Sequence, residues 1–151
     1  MKFTKMQGAG NDFVVIETDD APRDWSRVAV AVCDRHYGIG ADGLLLLLPS
    51  AIADCRMRIF NSDGSEAEAC GNGLRCLVKH FVDGRPANPE AKEVSVETLA
   101  GVRRAMVYKT AGKVTNVKTG MGKPAFRAKE IPVAIESGKD KVVDIKSMIT
   151  Y

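Results

Sequence analysis

Residues 70–82, CGNGLRCLVKHFV, decide the fold: behind a Gly-Asn-Gly opening, Leu74, Leu77, Val78 and Phe81 recur at the three- and four-residue spacing of a helix. Arg75, Lys79 and Asp83 fall off that stripe, and Gly84 and Pro86 interrupt the pattern. The spacing therefore predicts a helix to about residue 82 with one apolar face. Immediately upstream, Asn61-Ser62-Asp63-Gly64-Ser65 is a turn by composition, and residues 56–61 alternate with Met57 and Ile59 on one face. Residues 44–48 are five leucines closed by Pro49, too short and too uniformly apolar for an amphipathic helix, and read as a fully buried strand. Further out, residues 2–6 and 13–16 read as strands around a turn at Gly8-Ala9-Gly10-Asn11-Asp12. A second helix is expected over 24–37, with Trp25, Val28, Val32 and His36 as its stripe and Gly38 as its stop. Strands follow at 94–99, 102–109, 113–119, 131–136 and 142–150, with turns at Ala100-Gly101 and Ala111-Gly112. Two helices among nine strands predict an α+β fold rather than a βαβ repeat.

Composition narrows the function. Across 151 residues, 22 Lys and Arg oppose 19 Asp and Glu, a net charge of +3, and 45% of residues are hydrophobic. Such a chain folds, burying roughly 70% of its unfolded surface. The charge forms no basic stripe, and Arg56/Arg58 and Arg103/Arg104 read as solvated strand faces, so nucleic acid is not an expected partner. The apolar runs are short, the five leucines and the six residues of 28–33, against the roughly 18 residues of a membrane span. No basic-then-apolar leader opens the chain, and a soluble, cytoplasmic protein is expected. Cys33, Cys55, Cys70 and Cys76 lack the spacing of a zinc site and read as free thiols, with no metal expected.

Gly38-Ile39-Gly40-Ala41-Asp42-Gly43 matches the dinucleotide pattern G-x-G-x-x-G, but the context is inverted. A helix precedes the glycines and a strand follows, so the segment reads as a helix stop and turn. Gly8-Ala9-Gly10 likewise leads into a strand and reads as a turn. The chemistry concentrates at Cys70, which stands directly before the best helix, where unsatisfied N–H groups favour a thiolate. Gly71 and Asn72 leave their backbone amides open to a carboxylate within reach of that sulfur. From position alone, an inert cysteine before a Gly-rich cap is an equal reading. Cys33, Cys55 and Cys76 read as core residues, and neither His36 nor His80 stands out as an acid or base.

The stretches MKFTKMQGAGNDFVVIE (1–17), DRHYGIGADGLLLL (34–47) and RIFNSDGSEAEACGNGLRC (58–76) resemble, in order and spacing, the N-terminal half of the diaminopimelate epimerase family. The match spans residues 1 to about 125. The resemblance implies a β-barrel-like mixed sheet wrapped around a central helix, with a second short helix. It implies isomerase chemistry without pyridoxal phosphate or any other cofactor: two cysteines, one from each pseudo-symmetric half, exchange an α-proton of diaminopimelate in lysine biosynthesis. Cys70 matches the catalytic thiol of the first half, Gly71 and Asn72 the substrate-holding amides, and Asn11 and Asn61 the substrate-binding asparagines. Where some members place a substrate-contacting glutamine, this chain has Gly43. Residues 1–120 would be the first half-domain, and 121–151 the crossover and first strands of a second one. The family's second cysteine block is absent from these 151 residues, so the chain alone is expected to be inactive. The expected partners are the small-molecule substrate and a second copy of the chain in a homodimer, not a membrane. A fragment of a proline- or hydroxyproline-type racemase, or a folded domain without catalysis, are the competing readings.

Overall fold

The computed structural model describes residues 1–19, 22–85, 92–123 and 127. Met1–Met121 form one compact unit and Gly122–Tyr151 a second. The strands expected at 131–136 and 142–150 lie outside the described residues.

The first unit opens with a hairpin of β1 (Thr4–Gly8) and β2 (Asn11–Glu17). Its turn is Ala9-Gly10 alone, with φ of 55° and 83°. Paired positive φ values give a two-residue turn whose twist matches the flanking strands. The turn is thus shorter than the sequence implied, and Asn11 pairs with Gly8 in the ladder. Beside β2 runs β3 (Gly43–Leu48) in parallel, then β4 (Cys55–Asn61) antiparallel to β3. Alternation splits β2 and β3 between two cores. Phe13, Val15, Leu45 and Leu47 join one, and Val14, Ile16, Leu44, Leu46 and Leu48 join the other. Both faces are covered, which is why the five leucines carry no polar alternation.

The first core is filled by α2 (Gly71–Asp83), with Leu74, Leu77, Val78 and Val82 buried. It begins three residues ahead of the apolar stripe because Cys70 caps it, and Gly84 N–H closes it on His80 O at 3.0 Å. The sheet continues through β6 (Glu93–Thr98), β7 (Gly101–Thr110) and β8 (Lys113–Thr119), in the order β1-β2-β3-β4-β6-β7-β8. A two-residue strand, β5 (Glu66–Ala67), was not foreseen. It pairs with Ile59 and Phe60 of β4, while β6 pairs in parallel with Cys55 and Arg56 at the other end of that edge. Flat, the path from β1 to β8 would span roughly 29 Å at about 4.8 Å per strand. Both edge strands nevertheless contact α2, a cylinder about 10–12 Å across, so the sheet is curled around it. This is the α+β half-barrel about a central helix that the sequence implied.

The second core lies on the outer face under α1 (Trp25–Cys33), which starts one residue later and ends four residues earlier than expected. Asp24 caps its start by accepting from Arg27 N–H at 3.1 Å. Its end is set by Asp34, not Gly38. The Asp34 carboxylate takes the N–H groups of His36 and Tyr37, both at 2.7 Å, and turns the chain out of the helix. Ile39 and Gly40 then return to cap Val32 O, and Ala41 caps Cys33 O. The buried line is Trp25, Ala29 and Cys33; Val28 and Val32 flank it, and His36 is exposed.

Candidate active site

Cys70 sits at the start of α2 in extended conformation, φ −145° and ψ 118°. Its carbonyl accepts the first helical bond, from Leu74 N–H at 2.8 Å, and its sulfur accepts from Gly73 N–H at 3.4 Å. One residue thus caps the helix with two acceptors. Gly71 and Asn72 N–H find no acceptor among the described residues, leaving two donors and the positive end of the helix dipole beside the sulfur. The Asn72 side chain is turned away along the helix, where its Oδ1 accepts from Arg75, so its contribution at the helix end is the backbone. Gly73 sets the depth of this corner. A Cβ there would lie 3.0 Å from Leu45 Cδ2 and 3.5 Å from Ile59 Cδ1, so a side chain would press on β3 and β4 where α2 begins close to them.

The other three cysteines are buried. Burial pushes the Cys55 thiol up to about 12, and raises Cys33 and Cys76 in the same direction. Cys70 alone among the four cysteines is partly exposed.

Asn11 opens β2 and reaches the sulfur: its Oδ1 lies 4.0 Å from Cys70 Sγ, the outer limit for a thiol S–H to donate. The registers Phe13↔Gly43 and Gly43↔Asn61 place Asn61 at the same end of the sheet as Asn11. Asn61 closes a tight turn, giving its N–H to Ser65 O at 2.8 Å and its Nδ2 to Ser65 Oγ at 2.9 Å, and accepting from Gly64 N–H at 3.0 Å. All five residues expected from the sequence thus lie at the ends of β2 and β4, the two strands that flank β3, or at the helix start. A cleft of about 440 Å³ between Glu17, Leu48, Asp54, Phe81 and Arg85 lies at the far end of β2 and β3 from this corner.

Sequence reasoning missed the charged groups behind Asn11. Asp42, in the connection from α1 to β3, accepts from Asn11 Nδ2 at 2.8 Å and from Asp12 N–H at 3.0 Å. Arg35 Nη2 lies 2.8 Å from both Asp42 Oδ1 and Asp12 Oδ1, and Lys5 Nζ is 2.7 Å from Asp12 Oδ2. The Arg35 guanidinium, then Lys5, hold the Asp12 carboxyl well below the usual carboxylate range. Asn11 and Asp42 are 31 positions apart in the chain, and the parallel β2–β3 pairing brings them together. Gly43 offers no side chain to a ligand: a Cβ there would meet Phe60 O at 2.9 Å.

The corner can hold a carboxylate on two amides and set a sulfur against the carbon beside it. A family model described as diaminopimelate epimerase matches residues 3–127. A diaminopimelate epimerase of Caldanaerobacter subterraneus subsp. tengcongensis is 51% identical over 144 residues, covering 95% of this chain and 51% of that relative. One of Heliobacterium modesticaldum is 47% identical over 144 residues, covering 91% of this chain and 50% of that relative. Among solved structures, a probable proline racemase from Agrobacterium radiobacter has the same fold, with a TM-score of 0.64 at 18% identity over 78% of this chain and 40% of that one. The chain spans about half the length of the curated relatives it matches.

Proposed function

Because this chain belongs to the diaminopimelate epimerase family, we propose that it supplies the first of two half-sites that interconvert LL- and meso-diaminopimelate in lysine biosynthesis. The observation that carries this reading is Cys70, whose sulfur caps α2 beside the Gly71 and Asn72 N–H groups, which have no acceptor among the described residues, and faces Asn11. The two amides hold the substrate α-carboxylate, and the helix end stabilises the negative charge that spreads onto it as the α-proton leaves. The proposed exchange uses two sulfurs. In one direction a thiolate from the second half takes the α-proton and becomes a thiol, while the Cys70 thiol gives its proton to the opposite face and becomes a thiolate; the reverse direction exchanges the roles. Asn11 and Asn61 orient the substrate, and no pyridoxal phosphate is required.

Residues 1–120 form the first half-domain in this reading, and 121–151 the crossover and first strands of the second. The chain by itself carries one of the two bases and does not epimerise. The assembled enzyme works as a cytoplasmic homodimer on a small-molecule substrate. The test joins this chain to the second half of a relative and measures LL-to-meso conversion by chiral chromatography. Conversion that is lost in Cys70→Ser supports the reading. Conversion of proline or hydroxyproline instead of diaminopimelate, or full activity in Cys70→Ser, would replace it.

A further inference from the structure

The two ends of the Asn11 side-chain amide have opposite chemistry: the oxygen accepts and the nitrogen donates. Half a turn about the terminal bond exchanges them without changing the side chain's shape. Which end meets Cys70 therefore depends on what holds the other end. Asn11 Nδ2 donates to Asp42 Oδ2 at 2.8 Å, and a carboxylate only accepts, so the flipped amide would set oxygen against oxygen. With Nδ2 so engaged, Oδ1 is the end left 4.0 Å from Cys70 Sγ.

Asp42 is itself fixed on three sides. Its Oδ2 also accepts from Asp12 N–H at 3.0 Å, its Oδ1 accepts from Arg35 Nη2 at 2.8 Å, and its own N–H donates to Asp12 O at 2.9 Å. We propose that Asp42, clamped by Arg35 between α1 and β3, is a positioning residue that keeps the Asn11 amide oxygen toward Cys70. A ligand group that meets Asn11 from the site must then be a donor: the Cys70 S–H, or an ammonium of the substrate, and not its carboxylate. The inference about the ligand rests on the epimerase reading; the orientation of Asn11 does not.

The test has two arms. In the 15N-labelled chain, the Asn11 side-chain amide protons are assigned by their loss in Asn11→Ala and their solvent exchange is compared with that of the exposed Asn116. One Asn11 proton is expected to exchange at least about tenfold more slowly, and Asp42→Ala to abolish that protection while core backbone amides keep theirs. Asp42→Asn preserves the shape in case the alanine variant fails to fold. Its single oxygen is contested by Arg35, and it too is expected to speed exchange. In the joined two-half enzyme, Asp42→Ala lowers kcat/KM for LL-diaminopimelate by about tenfold. Wild-type Asn11 exchange as fast as that of Asn116 overturns the proposal. So does an Asn11 signal unchanged by both substitutions, even if melting temperature or kcat/KM falls. A joined wild-type enzyme that does not turn over diaminopimelate refutes the proposed function, while the exchange arm still decides the placement of Asn11.

Discussion

Cys70 caps a helix and faces the site with the same sulfur, and substitutions separate the two roles. Cys70→Ser keeps an acceptor for Gly73 N–H and is expected to stay within about 0.5 kcal/mol of wild type by urea denaturation. Cys70→Ala leaves that N–H uncapped and should cost about 1 kcal/mol. Alkylation of the folded chain near neutral pH should mark Cys70 first, and Cys33, Cys55 and Cys76 only on unfolding; equal labelling of Cys70 and Cys76 contradicts the site as described. The buried thiols set an alkaline limit. Cys55 keeps its proton in the fold up to about 12, whereas its ordinary value is 9.0. Below pH 9 both folded and unfolded chains hold the proton and the contribution is full; above it the unfolded chain releases the proton first, and stability falls as pH rises toward 12. The urea midpoint at about pH 10.5 should lie below that at pH 7, and Cys55→Ala should flatten the difference. At this scale the sequence made Cys70 legible, because a helix start is a local pattern. It hid Asp42 and Arg35, whose part at the site depends on a strand pairing between distant segments.

Elements were legible where one physical cause acts alone. The five leucines of β3 read correctly because both faces of that strand are covered, so hydrophobicity was the only signal needed. The apolar stripe of α2 was equally plain, but its first turn was not: Gly71-Asn72-Gly73 has poor helix propensity and is helical because Cys70 caps it. The end of α1 was misplaced for the converse reason, since the Asp34 side chain competes for backbone N–H groups that a longer helix would use. β5 is too short for periodicity to reveal. The contact that matters most for the site is Gly73 against Leu45 and Ile59. Gly73→Val is expected to lift the start of α2 from the sheet, destabilising the chain by about 1–3 kcal/mol and exposing Cys70 to faster alkylation. A variant with unchanged stability and unchanged Cys70 reactivity contradicts the close packing of helix on sheet.

In the whole molecule, the curled sheet puts the start of α2, the start of β2 and the end of β4 at one corner, so a single half-barrel presents a sulfur, two amides and two asparagines together. Among the described residues no helix is long and apolar enough to cross a membrane. Among the described residues this corner presents one sulfur, Cys70, and the proposed two-base exchange calls for a second on the opposite face of the substrate carbon. The chain spans about half of its curated relatives, which leaves length in them for such a partner. The central claim, that Cys70 belongs to one half of a two-base site, is tested most directly by proton NMR of LL-diaminopimelate in deuterium oxide, with this chain alone and then joined to a second half. Loss of the α-proton signal and appearance of the meso form only with the joined enzyme is the expected result; exchange or epimerisation by this chain alone would contradict the two-base account.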